Sequence, residues 1–265
     1  MATIAENLQA VRSRIARAAQ TAGRRADEIL LLAVSKTFPA ASIIEAYVAG
    51  QRAFGESFAQ EAVEKITELA AMPLAQHIAP GHGETNGARG GAQLPVSGAP
   101  RPEGSTQSPL EWHFIGPIQS NKTRPIAERF DWVHGIERLK IAQRLSDARP
   151  ADMPPLNACI EVNVSGEASK HGVPPEEALA LARQISGLAC LRLRGFMCIP
   201  QASDEPTEQR HAFGRLRELL DRANAAGLAL DTLSMGMSDD LEAAIQEGAT
   251  IVRVGTAIFG KREYT

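Results

Sequence analysis

The feature that most constrains the fold of this chain is a repeated alternation of short apolar runs and longer amphipathic segments. The first run, at residues 29–34, reads ILLLAV without a polar residue. Unbroken apolar runs of this length are typical of strands buried on both faces in a parallel sheet that is covered by helices. The amphipathic segments between the runs would supply the helical crossovers that connect parallel strands.

Eight strand–helix units of this kind are predicted. Strands are expected at 29–36, 52–55, 111–116, 132–136, 156–164, 191–199, 232–235 and 250–259. Helices are expected between them at 40–49, 58–71, 120–130, 137–148, 174–185, 206–226 and 238–248, with a short helix closing the chain. An extra amphipathic helix over 3–22 precedes the first strand. This order predicts an α/β fold, a (β/α)8 TIM barrel with an extra N-terminal helix.

A doubly wound open sheet is the alternative, but the chain lacks the nucleotide fingerprint that such sheets usually carry. We therefore expect residues 1–265 to form a single barrel domain. Residues 73–109 differ from the rest, because they contain seven glycines and six prolines in 37 positions with little periodicity. Such a segment buries too little apolar surface to offset its chain entropy, so we expect a flexible insertion.

Composition argues against several classes of function. A formal net charge of -3 and a pI of about 6.1 give no basic surface for nucleic acid. No apolar run approaches the roughly 18 residues that a membrane span requires, and the N-terminus lacks a signal-peptide core. The three cysteines lie in or beside apolar runs, as expected for reduced core residues of a cytoplasmic protein. His77 and His82 have no cysteine or carboxylate cluster beside them, so no metal site is predicted.

Lys36 follows the first apolar run, at the end of the strand where parallel α/β folds build their sites. Desolvation there favours the neutral amine, which can attack an aldehyde. Taken alone, however, this stretch favours a simpler interpretation, in which Lys36 marks the strand end and reaches solvent.

Two loops of the predicted barrel mouth have the composition of a phosphate site. The segment SMGMS at 234–238 precedes a helix, and Gly255 and Thr256 are expected in the loop after the eighth strand. Hydroxyls and backbone N–H groups at a helix N-terminus bind anions, and TIM barrels often bind phosphate with the loops after strands 7 and 8. The segment Ser238, Asp239 and Asp240 is expected to cap the following helix as well.

Arg253 lies between two valines in the last predicted strand. A guanidinium in a strand interior needs an acceptor, which is either water at the strand end or a ring nitrogen or carboxylate in the mouth. A lysine, a phosphate-type site and an arginine in one mouth together indicate pyridoxal 5′-phosphate (PLP), held as a Schiff base.

Six motifs in the same order carry a resemblance to a known family. They read LAVSKT at 32–37, FGE at 54–56, WHFIGPIQSNK at 112–122, LRGFM at 193–197, LSMGMSDD at 233–240 and VRVGTAIFG at 252–260. In these motifs the chain resembles the YggS/PROSC family of pyridoxal phosphate homeostasis proteins along nearly its whole length, excluding the insertion. The resemblance implies a fold-type III PLP-binding barrel related to the N-terminal domain of alanine racemase. The implied function is intracellular PLP (vitamin B6) homeostasis.

The resemblance also implies roles for individual residues. Lys36 would hold PLP as a Schiff base, and Arg253 would face the pyridine nitrogen. The residues implied in phosphate binding are Ser234, Gly255 and Thr256, together with Ser238. The other candidates for cofactor contacts are the remaining residues expected near the strand ends, Ser57, His113, Asn163, Met197 and Met235. The chain departs from the family at Ser57 and Phe58, where the family usually has Asn and Tyr.

Two interpretations of the function compete. In the first, the protein buffers or delivers PLP without turning over a substrate, with PLP and PLP-dependent apo-enzymes as partners. In the second, it is a fold-type III PLP enzyme such as an amino-acid racemase. Racemisation by two bases needs proton donors on both faces of the intermediate, and alanine racemases bring the second from an additional domain of the partner subunit. The chain ends at Thr265 without such a domain, which favours the carrier, expected as a monomer or weak dimer.

The electronic role implied for Arg253 favours the same interpretation. A guanidinium does not give up its proton easily, so opposite the ring nitrogen it would keep that nitrogen unprotonated and the ring a weaker electron sink. A third hypothesis is a phosphosugar-binding barrel enzyme in which Lys36 forms a Schiff base with the sugar. That enzyme would need a carboxylate base in the mouth, for which Glu56 and Glu161 are the nearest candidates.

Overall fold

The structure, a computed structural model, describes residues 2–72, 110–167 and 171–261. Eight parallel strands form a closed barrel in sequence order, and the first strand pairs with both the second and the last. The strands are β1 (Leu30–Val34), β2 (Ala53–Glu56), β3 (Glu111–Phe114), β4 (Trp132–Ile136), β5 (Leu156–Glu161), β6 (Leu191–Met197), β7 (Thr232–Ser234) and β8 (Ile251–Val254). The predicted (β/α)8 TIM barrel is confirmed. The predicted insertion at 73–109 lies outside the described residues.

Helices follow the strands around the outside of the barrel. They are α1 (Ile4–Thr21), α2 (Ala40–Val48), α3 (Ala59–Ala70), α4 (Thr123–Arg129), α5 (Leu139–Ala148), α6 (Pro175–Ile185), α7 (Pro206–Ala225), α8 (Leu241–Gln246) and α9 (Thr256–Phe259). None of these described helices is long and apolar enough to cross a membrane. The hydrophobic core has two layers, one between helices and strands and a smaller one inside the barrel around Leu32, Trp132 and Met197.

The extra N-terminal helix α1 begins with a capping box. The Thr3 hydroxyl accepts from the Glu6 N–H at 3.2 Å, and the Glu6 carboxylate accepts from the Thr3 N–H at 2.8 Å. The apolar stripe of the helix, which includes Leu8, Val11 and Ile15, is buried. Contacts with α8 and α9 dock α1 beside the last two strands, so the helix reaches the barrel mouth.

The end of the barrel differs from the prediction. The last strand was expected at 250–259, but β8 ends at Val254 and residues Thr256–Phe259 form α9. Periodicity alone does not distinguish a short apolar strand from a buried helical turn, which explains the error. Of the three predicted capping residues, Asp240 is the N-cap of α8, whereas Ser238 and Asp239 lie before it. The Asp240 side chain accepts from the Met237 N–H at 2.5 Å and makes no capping hydrogen bond to the helix.

Candidate functional site

A cavity of about 580 Å³ opens at the carboxyl ends of the strands. Its volume is in the range of small-molecule sites, roughly 300–1,000 Å³. The lining residues are Arg14, Val34, Lys36, Ser57, Ile115, Ile199, Met237, Ser238, Asp239, Arg253, Gly255, Thr256 and Ala257. Of the eleven predicted site residues, the structure brings six together in this wall, namely Lys36, Ser57, Ser238, Arg253, Gly255 and Thr256.

Lys36 enters the cavity from a turn that follows β1. The Phe38 N–H donates to the Ser35 carbonyl at 3.1 Å, which closes a four-residue turn with Lys36 at its second position. Lys36 is half-buried, so part of its stem is shielded while it contributes to the cavity wall. Ser57 follows β2 on a neighbouring part of the wall, whereas Phe58, the other departure from the family motif, is 53% exposed.

The wall formed by the loops after β7 and β8 has donors suited to an anion. Ser238 and Thr256 both line it, and α9 begins at Thr256 directly after Gly255. The Ile258 and Phe259 N–H groups donate to the Gly255 carbonyl at 2.9 and 3.0 Å, so the N–H groups that this short helix can offer to a ligand are those of Thr256 and Ala257. This arrangement can bind a phosphate group next to the cavity.

Arg14 of α1 fixes the loop that carries Ser238. Its Nη2 donates to the Ser238 carbonyl at 2.9 Å, and its guanidinium forms a two-point ion pair with Glu242, with both N···O distances at 2.9 Å. Arg14 also lines the cavity, so α1 contributes a cation to this wall. The sequence carries no signal for this role, because helical periodicity alone does not show which end of the barrel α1 covers.

Gly236 sets the path of the same loop. Its φ is +91°, which L side chains rarely adopt, and an added Cβ would lie 2.5 Å from the Cβ of Ala244. Glycine therefore permits a close approach of the loop to α8. That approach places Met237 and Ser238 at the cavity.

Arg253 is 4% exposed, and three acceptors hold its guanidinium. Nη1 donates to the Ser234 carbonyl at 2.7 Å and to the Ser234 hydroxyl at 2.9 Å, and Nη2 donates to the Cys198 carbonyl at 3.0 Å. Burial lowers the pKa of Arg253, while Cys198, Asp240 and Glu161 act in the opposite direction. The guanidinium is thus fixed where Arg253 forms part of the cavity wall.

A buried chain of hydrogen bonds continues from Ser234 through the barrel. The Ser234 hydroxyl lies 2.8 Å from Nδ1 of His134, whose Nε2 lies 2.9 Å from Nδ1 of His113, whose Nε2 lies 3.2 Å from Oε1 of Glu111. A guanidinium only donates and an ionised carboxylate only accepts. The Ser234 hydroxyl accepts from Arg253 and can donate its own proton to Nδ1 of a neutral His134, which leaves Nε2 of His134 as the donor toward Nδ1 of His113.

The protonation of His134 follows from its burial. Desolvation lowers the pKa of His134 well below its usual 6.5, and His113 and Arg253 lower it further. Sequence reasoning did not identify this histidine. The signal was a polar residue in the middle of the predicted strand at 132–136, which reads WVHGI.

The remaining predicted site residues do not line the cavity. Ser234 and His113 belong to the buried chain described above. Met197 packs inside the barrel, and Met235 is buried between strands and helices. Asn163 bonds within its own loop, where it accepts from the Gly166 N–H at 3.0 Å and donates to the Glu167 carbonyl at 2.8 Å.

The two candidate bases of the phosphosugar hypothesis also lie outside the cavity wall. Glu56 is fully buried and accepts hydrogen bonds from Lys65 and Ser35 at 2.8 and 2.7 Å. Burial raises the pKa of Glu56, and Lys65 opposes the shift. Glu161 is 7% exposed, and burial raises its pKa as well. Neither glutamate is therefore placed to act as a base on a ligand in the cavity, and the carboxylate that the wall does contain is Asp239, next to Ser238.

Comparison with known proteins identifies the family. The family model for the N-terminal domain of alanine racemase matches residues 7–263. A pyridoxal phosphate homeostasis protein of Pseudomonas aeruginosa is 55% identical over 264 residues, covering 100% of this chain and 98% of the relative. The chain belongs to the pyridoxal phosphate homeostasis protein family. Its Escherichia coli member is 46% identical over 265 residues, covering 100% of this chain and 99% of the relative. The resemblance predicted from the motifs is confirmed.

Solved structures agree with this assignment. PipY of Synechococcus elongatus, determined with PLP bound, is 32% identical with a TM-score of 0.73, covering 97% of this chain and 100% of PipY. An uncharacterised protein of Bifidobacterium adolescentis is 34% identical with a TM-score of 0.80, covering 97% and 94% of the two chains. Alanine racemase of Corynebacterium glutamicum shares the fold at 16% identity, with a TM-score of 0.62, and this chain covers 62% of its length.

Proposed function

We propose that this protein binds PLP in the cavity at the barrel mouth, as a Schiff base on Lys36. In this proposal it serves intracellular PLP homeostasis by holding the cofactor without turning over a substrate. The observation that carries the proposal is that Lys36, Arg253 and the donors around Thr256 line one cavity of suitable volume. Family membership and the PLP-bound structure of PipY support it.

The residues of the cavity fit the chemical groups of PLP. Bound PLP supplies an aldehyde for a Schiff base and an electron-withdrawing ring. Lys36 would provide the amine, and the wall formed by Ser238, Gly255 and Thr256 would bind the phosphate with hydroxyl and N–H donors. Arg253, held by Ser234 and Cys198, would direct a permanent donor at the ring nitrogen.

The composition of the wall favours a carrier over a racemase. Two-base racemisation needs a second proton donor across from Lys36. Among the described residues that line the cavity there is no histidine or tyrosine, and the one carboxylate, Asp239, follows Ser238 in the wall to which we assign the phosphate. The same wall has hydrophobic residues at its rim, where Ile199 is 40% and Met237 is 38% exposed.

We propose that PLP-dependent apo-enzymes of the cytoplasm are the recipients and that the carrier acts as a monomer or weak dimer.

Titration with PLP tests this proposal. Wild-type protein should develop the visible absorbance of a Schiff base, and Lys36→Ala should not, whereas the exposed control Lys140→Ala should behave as wild type. PLP-loaded protein should then activate a PLP-dependent apo-enzyme, while racemase, decarboxylase and transaminase assays should give rates close to those of free PLP. Robust turnover in those assays would favour the enzyme, and an equal band in Lys36→Ala would contradict the site.

A further inference from the structure

The turn that carries Lys36 contains an unusual backbone conformation. Thr37 has a φ of 69°, and it is the one non-glycine residue with a positive φ in the described part of the chain. A β-branched residue is a steric outlier there. In a hydrogen-bonded turn, a positive φ at the third position is the mark of type II, which normally takes glycine. Within the turn, the Thr37 hydroxyl donates to the Lys36 carbonyl at 2.5 Å, and further contacts to the turn come from outside it.

Two charged residues of α3 bond to the peptide groups on either side of Lys36. The Thr37 N–H donates to Oε1 of Glu61 at 2.6 Å, and Nζ of Lys65 donates to the Ser35 carbonyl at 2.9 Å. Glu61 and Lys65 are themselves ion-paired at 2.6 Å, one helical turn apart. The pair thus contacts the peptide group before Lys36 and the one after it.

Glu56 completes this network from β2. Its Oε1 accepts from Lys65 at 2.8 Å and from the Ser35 hydroxyl at 2.7 Å. Its Oε2 is buried without a hydrogen-bond partner among the described residues. The Lys65 side chain is only 8% exposed, and buried ions of this kind are costly unless they are paired in a fixed geometry. The network thus connects α3 and β2 to the turn through paired, buried groups.

We propose that Glu61 and Lys65 are positioning residues for Lys36, which hold the strained turn and thereby direct the lysine amine at the cavity. The proposal rests on the proposed function, because the direction of Lys36 matters only if its amine binds a ligand. Without the two contacts Thr37 relaxes to a negative φ, the peptide group between Lys36 and Thr37 rotates, and the amine leaves its position in the cavity wall.

Two variants and a matched control test whether Glu61 and Lys65 hold the turn in its strained conformation. Lys65→Met keeps much of the buried volume, and Glu61→Ala removes the acceptor of the Thr37 N–H from a partly exposed position. Glu68→Ala removes an exposed carboxylate from the same helix and is the control. In protein without PLP, hydrogen exchange of the Thr37 amide should accelerate about tenfold in both variants, the scale of one charge-assisted hydrogen bond, and stay unchanged in the control.

The same proteins are then titrated with PLP. Schiff-base formation should weaken about tenfold in Lys65→Met and Glu61→Ala and remain at the wild-type level in Glu68→Ala. Thr37→Gly is the rescue variant, because glycine adopts a positive φ without strain. Added to Lys65→Met, it should restore most of the Schiff-base formation without restoring the thermal stability that the ion network provides. A merely structural role of Lys65 would give no such rescue.

The outcomes separate this proposal from the proposed function. Unchanged exchange of the Thr37 amide in both variants would overturn the claim that Glu61 and Lys65 hold the turn, and would leave the proposed function standing. Normal Schiff-base formation in both variants, or a loss that Thr37→Gly does not rescue, would overturn the positioning role. Absence of any Schiff base in the wild-type protein would overturn the proposed function, and the positioning role with it.

Discussion

Arg253 donates two hydrogen bonds to Ser234, at 2.7 Å to the carbonyl oxygen and at 2.9 Å to the hydroxyl. The hydroxyl also lies 2.8 Å from Nδ1 of His134, so it joins the arginine of the cavity wall to the buried histidine pair. Ser234 therefore supports Arg253 from behind. Direct phosphate binding by Ser234, which the family resemblance implies, stays a prediction that can be separated from this role.

Ser234→Ala should distinguish the two roles. The substitution removes an acceptor of Arg253 and a partner of His134, so we expect it to lower the free energy of unfolding by about 1–3 kcal/mol in protein without PLP, measured by urea denaturation. If Ser234 only supports Arg253, competition between inorganic phosphate and PLP should be unchanged. Weaker competition by phosphate would instead show a direct phosphate contact.

Arg253→Lys should weaken PLP binding about tenfold, because one ammonium group does not reproduce the fork that donates to both Ser234 and Cys198. The measurement is a PLP titration followed by absorbance. Arg192→Lys, at an exposed position of β6, is the control and should bind as wild type. Equal affinities for wild type and Arg253→Lys would remove Arg253 from the site.

Stability should depend on pH through His134. Its folded-state pKa lies well below 6.5, so on acidification the unfolded chain takes up a proton before the folded protein does. The free energy of unfolding should therefore fall as pH drops below about 6.5, by up to about 1.4 kcal/mol per pH unit from this group. Urea denaturation between pH 7.5 and pH 5.5 should show a smaller slope for His134→Gln than for wild type.

The control for this slope is His211→Gln, which removes an exposed histidine of α7. Glu56 makes a contribution of the opposite sign to the pH dependence of the free energy of unfolding, because its pKa is raised on folding. Its contribution is present below about pH 4.5 and is lost as pH rises through the folded-state pKa. A slope that is the same in His134→Gln and wild type would contradict a buried neutral His134.

Gly236→Ala should both destabilise the protein and weaken PLP binding. The new Cβ would meet the Cβ of Ala244 at 2.5 Å on a backbone with φ of +91°, at a cost of about 1–3 kcal/mol. Relief of the clash would move the loop that carries Ser238. Gly187→Ala, where the nearest atom to the added Cβ is 3.6 Å away, is the control for both thermal unfolding and PLP titration.

Much of the fold was predictable because it depends on local patterns. The apolar runs of the strands and the amphipathic helices specify a closed barrel in this order, and Lys36 follows from where the first strand ends. Gly255 and Thr256 were placed in the site by their composition and by the family motif, although the end of the last strand was predicted wrongly. Ser234 and His113 were predicted to contact the cofactor but lie in the buried hydrogen-bond chain. Their positions depend on which way each side chain points from its strand. That direction depends on register and on where the strand stops, which the sequence alone leaves open.

Other parts of the site arise from docking between distant segments. Arg14 reaches Ser238 only because α1 packs beside α8 and α9. The Lys65 network requires α3 to bring a buried lysine behind the turn of Lys36. No local sequence pattern predicts either contact. In the sequence, Arg14 and Lys65 look like ordinary charged residues of amphipathic helices, and only the packing of those helices shows their partners.

Mapping the attachment site of PLP tests most directly whether Lys36 holds the cofactor. Protein incubated with PLP is reduced with borohydride and digested, and the modified peptide is identified by mass spectrometry. We expect one dominant modification, on Lys36, that is lost in Lys36→Ala and retained in Lys140→Ala. No modification, or a dominant modification on another lysine, would contradict the claim that this cavity holds PLP through Lys36.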